Sequence, residues 1–217
     1  MAQQVIDPQN VVVPEDAAVW TPPGPIPPDL RKFGHFPDTS VWLPGDLMLF
    51  NSINPNLISR MIIKAQREAG FADDDARWHH AAVYVGDNFV CDAVPVGGVR
   101  YRTMYSDILV KRMRVRRDLT LTADERYKIA ITALTRLRAS YSIFEVLNFR
   151  VGASRLWEVQ KLPLRTFGIV CSQLYADAYA TVTSRLPIRG AHRLATPADL
   201  SATDVLADIA MAWRRIA

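Results

Sequence analysis

Cys171 is the residue best placed to act as a nucleophile. It follows Phe167-Gly-Ile-Val170 and leads into Ser-Gln-Leu-Tyr-Ala-Asp-Ala-Tyr-Ala180, a stretch with the composition of a helix. A thiol at a helix N-terminus lies against unpaired N–H groups and the positive end of the macrodipole. Such thiols can fall from ~8.5 to roughly 3.5–7.5 in pKa, and the thiolate is the nucleophilic form. The competing role is a buried cysteine packed as a small apolar residue. A cysteine nucleophile needs a base, and the base needs a group to orient it. His80 opens one β-prone run, Asp92 lies in the next, and Gly86-Asp87-Asn88 between them is a hairpin signal.

Register arithmetic tests whether these two side chains can meet. A three-residue loop over Gly86–Asn88 pairs Val85 with Phe89, Ala82 with Asp92 and His80 with Val94. Opposed residues share a face, as do residues two apart on one strand. Asp92 then lies diagonal to His80, with the small Ala82 leaving room between them. A two-residue loop pairs Asp92 with Val83 and sends it to the opposite face. His79 points away and reads as structural, as His80 would if it were a satisfied core histidine. His192 is a reserve base with no supporting context. A zinc site from His79, His80, Cys91 and Cys171 matches no structural-zinc spacing, so no metal and no cofactor is expected.

The elements around these residues read as one α+β domain. Leu47–Phe50 is a short buried strand after the Pro44-Gly45 turn. Asn54-Pro55 reads as the start of a helix that carries Leu57, Ile58, Met61, Ile62 and Ala65 at helical spacing. Phe71–Arg77 reads as a polar loop. Further strands are expected near Val99–Met104 and Leu109–Val115. Thr122-Ala-Asp-Glu125 is a capping box, opening a helix with Tyr127, Ala130, Ile131, Leu134 and Leu137 on one face. Thr196–Asp199 opens a short helical turn, and Asp204–Ile216 reads as a final amphipathic helix. Nine of the 14 prolines fall in residues 1–44. Proline fixes φ and removes a donor, so residues 1–40 read as a Pro-rich extended arm. Trp20, Phe33 and Phe36 favour an arm that packs against residues 41–217.

Composition excludes several classes. The 217 residues are 49% apolar and 22% charged, which rules out a disordered or collagen-like chain. A net charge of +4 permits an anionic partner without requiring one. Arg100, Arg102, Arg112, Arg114, Arg116 and Arg117 read as a solvated sheet face or a contact for polyanions. No nucleic-acid motif accompanies them, so nucleic acid is not an expected partner. No run reaches the ~18 apolar residues of a membrane span. The acidic opening, with Asp7, Glu15 and Asp16 before the first basic residue at Arg31, lacks the pattern of a cleavable signal. The expectation is a protein cytoplasmic as synthesised, a monomer, that leaves the cell, if it does, without such a signal.

Three short stretches together resemble a known family: Leu43-Pro-Gly-Asp-Leu-Met-Leu-Phe50, Trp78-His-His-Ala-Ala-Val-Tyr-Val-Gly-Asp87 and Val170-Cys-Ser-Gln-Leu174. They are similar to the circularly permuted branch of the NlpC/P60 papain-like superfamily, which includes YiiX/YaeF-like proteins and the lecithin:retinol acyltransferase group. Histidine precedes cysteine here, as in that branch. The resemblance, over roughly residues 41–200, implies an antiparallel sheet packed on the cysteine-bearing helix. It also implies that Cys171 is the nucleophile, His80 the base and Asp92 the third member of a cysteine hydrolase. The chemistry would be acyl transfer through a thioester. An amidase or endopeptidase on peptidoglycan peptides is the first substrate expectation. A lipid acyl hydrolase or acyltransferase is the second, and a catalytically inactive papain-like binding module the third. A signal-less antibacterial effector, with a secretion apparatus or immunity protein as partner, fits the absence of a signal and the Pro-rich arm.

Overall fold

The computed structural model describes residues 3–14, 17–21, 25–95, 97–139, 171–188 and 194–217. The chain-order elements are α1 (Pro28–Phe33), β1 (His35–Pro37), β2 (Leu47–Ser52), α2 (Leu57–Glu68), α3 (Asp73–Ala76), β3 (His80–Gly86), β4 (Phe89–Val94), β5 (Gly98–Thr103), α4 (Tyr105–Ile108), β6 (Lys111–Arg117), α5 (Ala123–Leu134), α6 (Cys171–Thr183), α7 (Pro197–Ala202), β7 (Ala207–Asp208) and β8 (Trp213–Arg215). The result is an α+β architecture. A six-stranded antiparallel sheet runs β5-β4-β3-β2-β6-β7, and β1 pairs with β8 in a separate ribbon.

Why β2 sits in the middle follows from its sequence. Leu47, Met48, Leu49 and Phe50 are apolar on both pleat faces and all are 0% exposed. A strand without a polar face must be covered twice, and each such side chain contributes ~1.5–3 kcal/mol when fully buried. On one face Leu47 and Leu49 join Ala81, Val83, Cys91 and residues of α5 and α6. On the other, Met48 and Phe50 join Ala82, Val90 and Met113, with Ile6, Leu30, Phe36 and Trp213 laid over them. Gly45 makes the turn into β2 at φ +88°, and a Cβ there would collide with the backbone carbonyl of Arg126.

The first 40 residues are not wholly extended. Pro28 occupies the first turn of α1, where its missing N–H costs nothing, and Gly34 closes that helix in the left-handed region. Ile6 bridges to Met113 and Trp20 to Ile216.

Three further expectations are corrected. α2 is capped by Asn56, whose side chain accepts from the Ser59 N–H, two residues later than the Asn54-Pro55 signal. The polar loop before His80 contains α3. Asp204–Ile216 is not a helix: Asp208 pairs with Arg116 beside β6, and Trp213–Arg215 pairs with His35–Pro37. The open edge of β6 and the arm's own strand satisfy backbone groups that a helix would have satisfied internally. α5 starts at the Thr122 capping box as expected, yet it buries Ile129, Ala130 and Ala133 and exposes Tyr127 and Ile131. Its small Ala130 and Ala133 sit on the buried side of a helix that packs against α6 and β3.

Candidate active site

β3 and β4 bring His80 and Asp92 together. Ala82 stands opposite Asp92 and Val83 opposite Cys91, the pairing that puts the carboxylate on the histidine's side. The turn that achieves this differs from the three-residue loop. Asp87 and Asn88 form a two-residue turn with φ of 49° and 64°, and Gly86 pairs with Phe89. A two-residue turn alone would rotate Asp92 to the wrong face. The register shift between Tyr84 and Gly86 absorbs one residue and restores it.

His80 Nε2 lies 3.0 Å from Asp92 Oδ2, and its side chain is 13% exposed. With Nε2 occupied, Nδ1 is the nitrogen left for Cys171, which hydrogen-bonds the ring. His80 is the first residue of β3, so its imidazole stands at the margin of the sheet. There it reaches a carboxylate on one face and a thiol that belongs to the other face's core. Cys171 is the first described residue of α6 and is 5% exposed. The run Phe167–Val170 and His192 lie outside the described residues.

The electrostatics favour a charged pair. Burial alone would raise the Cys171 thiol, but the His80 imidazolium and the backbone N–H groups of Ala81 and Ser172 hold it below its ordinary value. Burial likewise disfavours the charged imidazole, yet the Cys171 thiolate and the Asp92 carboxylate raise His80 to about 9. Each charge thus favours the other: the imidazolium lowers the thiol and the thiolate raises the imidazole, the direction that increases a thiol's reactivity. Cys91 is the internal contrast: burial, then the Asp92 charge, pushes its thiol up to about 12. His79 is neutral, pushed down to about 3 by burial and by the charges of His80 and Lys111. Its Nε2 accepts from the Ser52 N–H at 2.9 Å.

Asp92 has partners that the sequence reading missed. Arg100 Nε donates to Oδ1 at 2.8 Å, and Arg102 donates to Oδ2 through Nε at 3.0 Å and Nη2 at 2.8 Å. Burial opposes the carboxylate's charge, but these donors and His80 hold it well below the usual carboxylate range. The signal was present: extending the register arithmetic over the next hairpin places Arg100 opposite Asp92. Arg102 also pairs with Asp107 at 2.6 Å, which pairs with Lys111 at 2.7 Å.

The six arginines do not form one face. Arg114 and Arg116 are each 5% exposed, and both pair with Asp208. Arg117 pairs with Asp46 and Arg112 with Asp7. Arg114 and Arg116 are internal struts, whereas Arg100, 44% exposed, and Arg112 line open clefts.

Beside His80 lies a cleft of ≈ 210 Å³. Its walls include Ile58, Ile62, Val94 and Pro95, with Arg100 and Lys111 as cations. Among the described residues no helix is long and apolar enough to cross a membrane.

The fold defines a class: an α+β domain of the YiiX type. The chain is similar to a crystal structure described as metalloprotein yiiX from Escherichia coli O157:H7. The TM-score is 0.54 and the identity 17%, over 77% of this chain and 96% of that one. At that identity the likeness bears on the fold alone. No family model matches the chain, and no curated protein does. The described residues around Cys171 do not suit a resident metal. Among the described residues no group of three or more His, Cys, Asp or Glu side chains could hold one. The Asp92 oxygens already face two guanidinium groups, which would repel a divalent cation.

Proposed function

We propose that this protein is a cysteine-dependent acyl hydrolase with a circularly permuted papain-like core, in which Cys171 is the nucleophile, His80 the general acid and base, and Asp92 the orienting carboxylate. The observation that carries this reading is His80, held through Nε2 at 3.0 Å by a fully buried carboxylate while hydrogen-bonded to a thiol of lowered pKa.

The thiolate attacks the acyl carbon, forming a C–S bond and a tetrahedral oxyanion. The backbone N–H of Cys171 is the natural first donor to that oxyanion. The bond to the leaving group breaks as His80 delivers its proton to the departing oxygen or nitrogen. His80, now neutral, takes a proton from water, whose oxygen attacks the thioester. The acid departs and the thiolate returns. Asp92 keeps Nε2–H committed, so that Nδ1 faces the reaction throughout.

Both a wall-peptide amide and a lipid ester suit this chemistry. The cleft favours the lipid: its apolar Ile58, Ile62, Val94 and Pro95 suit an acyl chain, and Arg100 and Lys111 suit a phosphate. The test is incubation with detergent-dispersed phosphatidylglycerol and, separately, with peptidoglycan fragments, read by mass spectrometry. Fatty acid released by the parent and not by Cys171→Ala is the expected result. Cleavage of wall peptides instead would overturn the substrate choice. Undiminished activity in Cys171→Ala would overturn the cysteine mechanism.

A further inference from the structure

α2 presents its apolar residues to the wrong side. The residues it buries are Ser59, Ala65 and Gln66. Gln66 is the fastening: its amide donates to the carbonyls of Ala76 and Trp78, at 2.8 and 2.9 Å, and accepts from the Ala198 N–H at 3.0 Å. Leu57 is 73% exposed, and Ile58, Met61 and Ile62 are only half-buried. At about 100° per residue, Leu57, Met61, Ile58 and Ile62 form one stripe about 140° wide. Gln66 and Ser59 lie beyond the stripe's edge, but Ala65, at about 80°, is buried within it and lines a cavity with Ile62, Phe71, Thr196 and Pro197. The stripe turns inward at Ala65, whereas over Leu57, Ile58 and Met61 it faces outward and runs into the cleft beside His80, where Ile58 and Ile62 are wall residues.

Cations flank this stripe on both sides. Arg100 and Lys111 stand across the cleft. On the other flank Arg60, Lys64, Arg67, Arg77 and Arg112 line a groove of ≈ 360 Å³. Carboxylates face these cations: Glu68 at Lys64, Asp73 at Arg67, Asp74 at Arg77 and Asp7 at Arg112. Arg60 donates through Nε to the Pro55 carbonyl, and among the described residues no carboxylate pairs with it. Surface ion pairs of this kind are weak and readily exchanged for another anion. An apolar stripe bordered by Lys and Arg is the pattern of a helix that lies in a lipid interface.

We infer that α2 is an interfacial docking helix: it lays Leu57, Ile58, Met61 and Ile62 into an anionic phospholipid surface, its flanking cations engage the phosphates, and the cleft beside His80 opens onto the lipid. The inference rests on the acyl-hydrolase reading for its purpose but not for its test. The full chain carrying Cys171→Ala, which cannot turn lipid over, is floated with vesicles of phosphatidylcholine alone and of phosphatidylcholine with equimolar phosphatidylglycerol. Binding to the mixed vesicles only, weakened by salt, is expected. Arg60→Gln and Lys64→Gln should each weaken it about fivefold, since one cation near such a surface is worth about that much. Leu57→Asp, at a position too exposed to affect folding, should abolish it, with circular dichroism unchanged. Equal binding to both vesicle types, or variants that bind like their parent, would overturn the inference. So would a parent that ignores vesicles and self-associates until Leu57→Asp makes it monomeric, because a second copy then covers the stripe. Fatty-acid release from detergent-dispersed lipid is independent of docking, so the two readings fail separately.

Discussion

Replacing Asp92 with alanine removes one carboxylate and strands donors from three side chains. Asp92 is 0% exposed and accepts from His80 at 3.0 Å, from Arg100 at 2.8 Å and from Arg102 at 2.8 Å. Removing one partner of a buried ion pair costs about 3–5 kcal/mol. The lower end applies here. Arg102 keeps Asp107 at 2.6 Å, and Arg100, 44% exposed, can turn to water. A loss of about 3 kcal/mol leaves most domains folded, given total stabilities of roughly 5–15 kcal/mol. At about 2–4 °C per kcal/mol for a chain of this size, Tm should fall by roughly 6–12 °C. The chemical effect is separate. His80 loses its acceptor and an electrostatic support, so its pKa drops from about 9 and the Cys171 thiol rises. Activity should fall within the ~10²–10⁴-fold range of general acid–base catalysis. The assays are a thermal melt and an iodoacetamide titration of Cys171 between acid and alkaline pH. If Tm falls but the alkylation profile and turnover stay put, Asp92 only anchors its arginines and the orienting role is refuted. An unchanged Tm would refute the burial argument itself. Asp92→Asn, which keeps the shape, should show the alkylation shift with a smaller change in Tm.

Three further outcomes are expected. At neutral pH iodoacetamide should label Cys171 and spare Cys91, whose thiol is pushed up to about 12, and His80→Ala should move the Cys171 midpoint upward; equal labelling of both thiols would count against an activated nucleophile. His79 is held neutral down to about 3, whereas the unfolded chain protonates it near 6.5. The unfolded state therefore binds the extra proton over that window, so stability should fall as pH drops from 6.5 towards 3 by ~1.4 kcal/mol per pH unit. Urea melts of His79→Gln should lack that component, and parallel slopes in parent and variant would refute it. Arg116 donates to the carbonyls of Leu200, Ser201, Thr203 and Leu206; Arg116→Met should cost at least ~3 kcal/mol in a urea melt, since each buried acceptor left alone costs about 1–3 kcal/mol, and a loss below ~1 kcal/mol would show that water replaces the guanidinium.

What the sequence disclosed depended on whether the cause was local. Leu47–Phe50 declared itself a buried strand because no residue in it tolerates water. The Thr122-x-x-Glu125 box is a four-residue device, and both of its hydrogen bonds form. The Ala82–Asp92 pairing came out as expected through compensating errors, since a shorter turn and a bulge add up to the register of a longer loop. Distant partners were invisible. Nothing near Arg114 or Arg116 announces Asp208, and nothing near Asp204–Ile216 says that β1 and β6 offer backbone partners. The same apolar spacing serves a helix or two short strands, and tertiary pairing decides between them. Asp92 hid its arginines for a simpler reason: the pairing arithmetic stopped one hairpin too soon.

The ribbon of β1 and β8 has a temporal consequence. Ile6 is covered early, by Met113, but Trp20 waits for Ile216, and His35–Pro37 waits for Trp213–Arg215. A ribosome adding ~5–20 residues per second leaves roughly 10–40 s between the first of these residues and the last. Throughout that interval His35–Pro37, whose Phe36 ends up fully buried, has no strand to pair with. The sheet face that carries Asp92 thus gains its final cover only once Trp213–Ile216 have been made, so that its assembly ends by fastening Trp20 and His35–Pro37 to a segment nearly two hundred residues later.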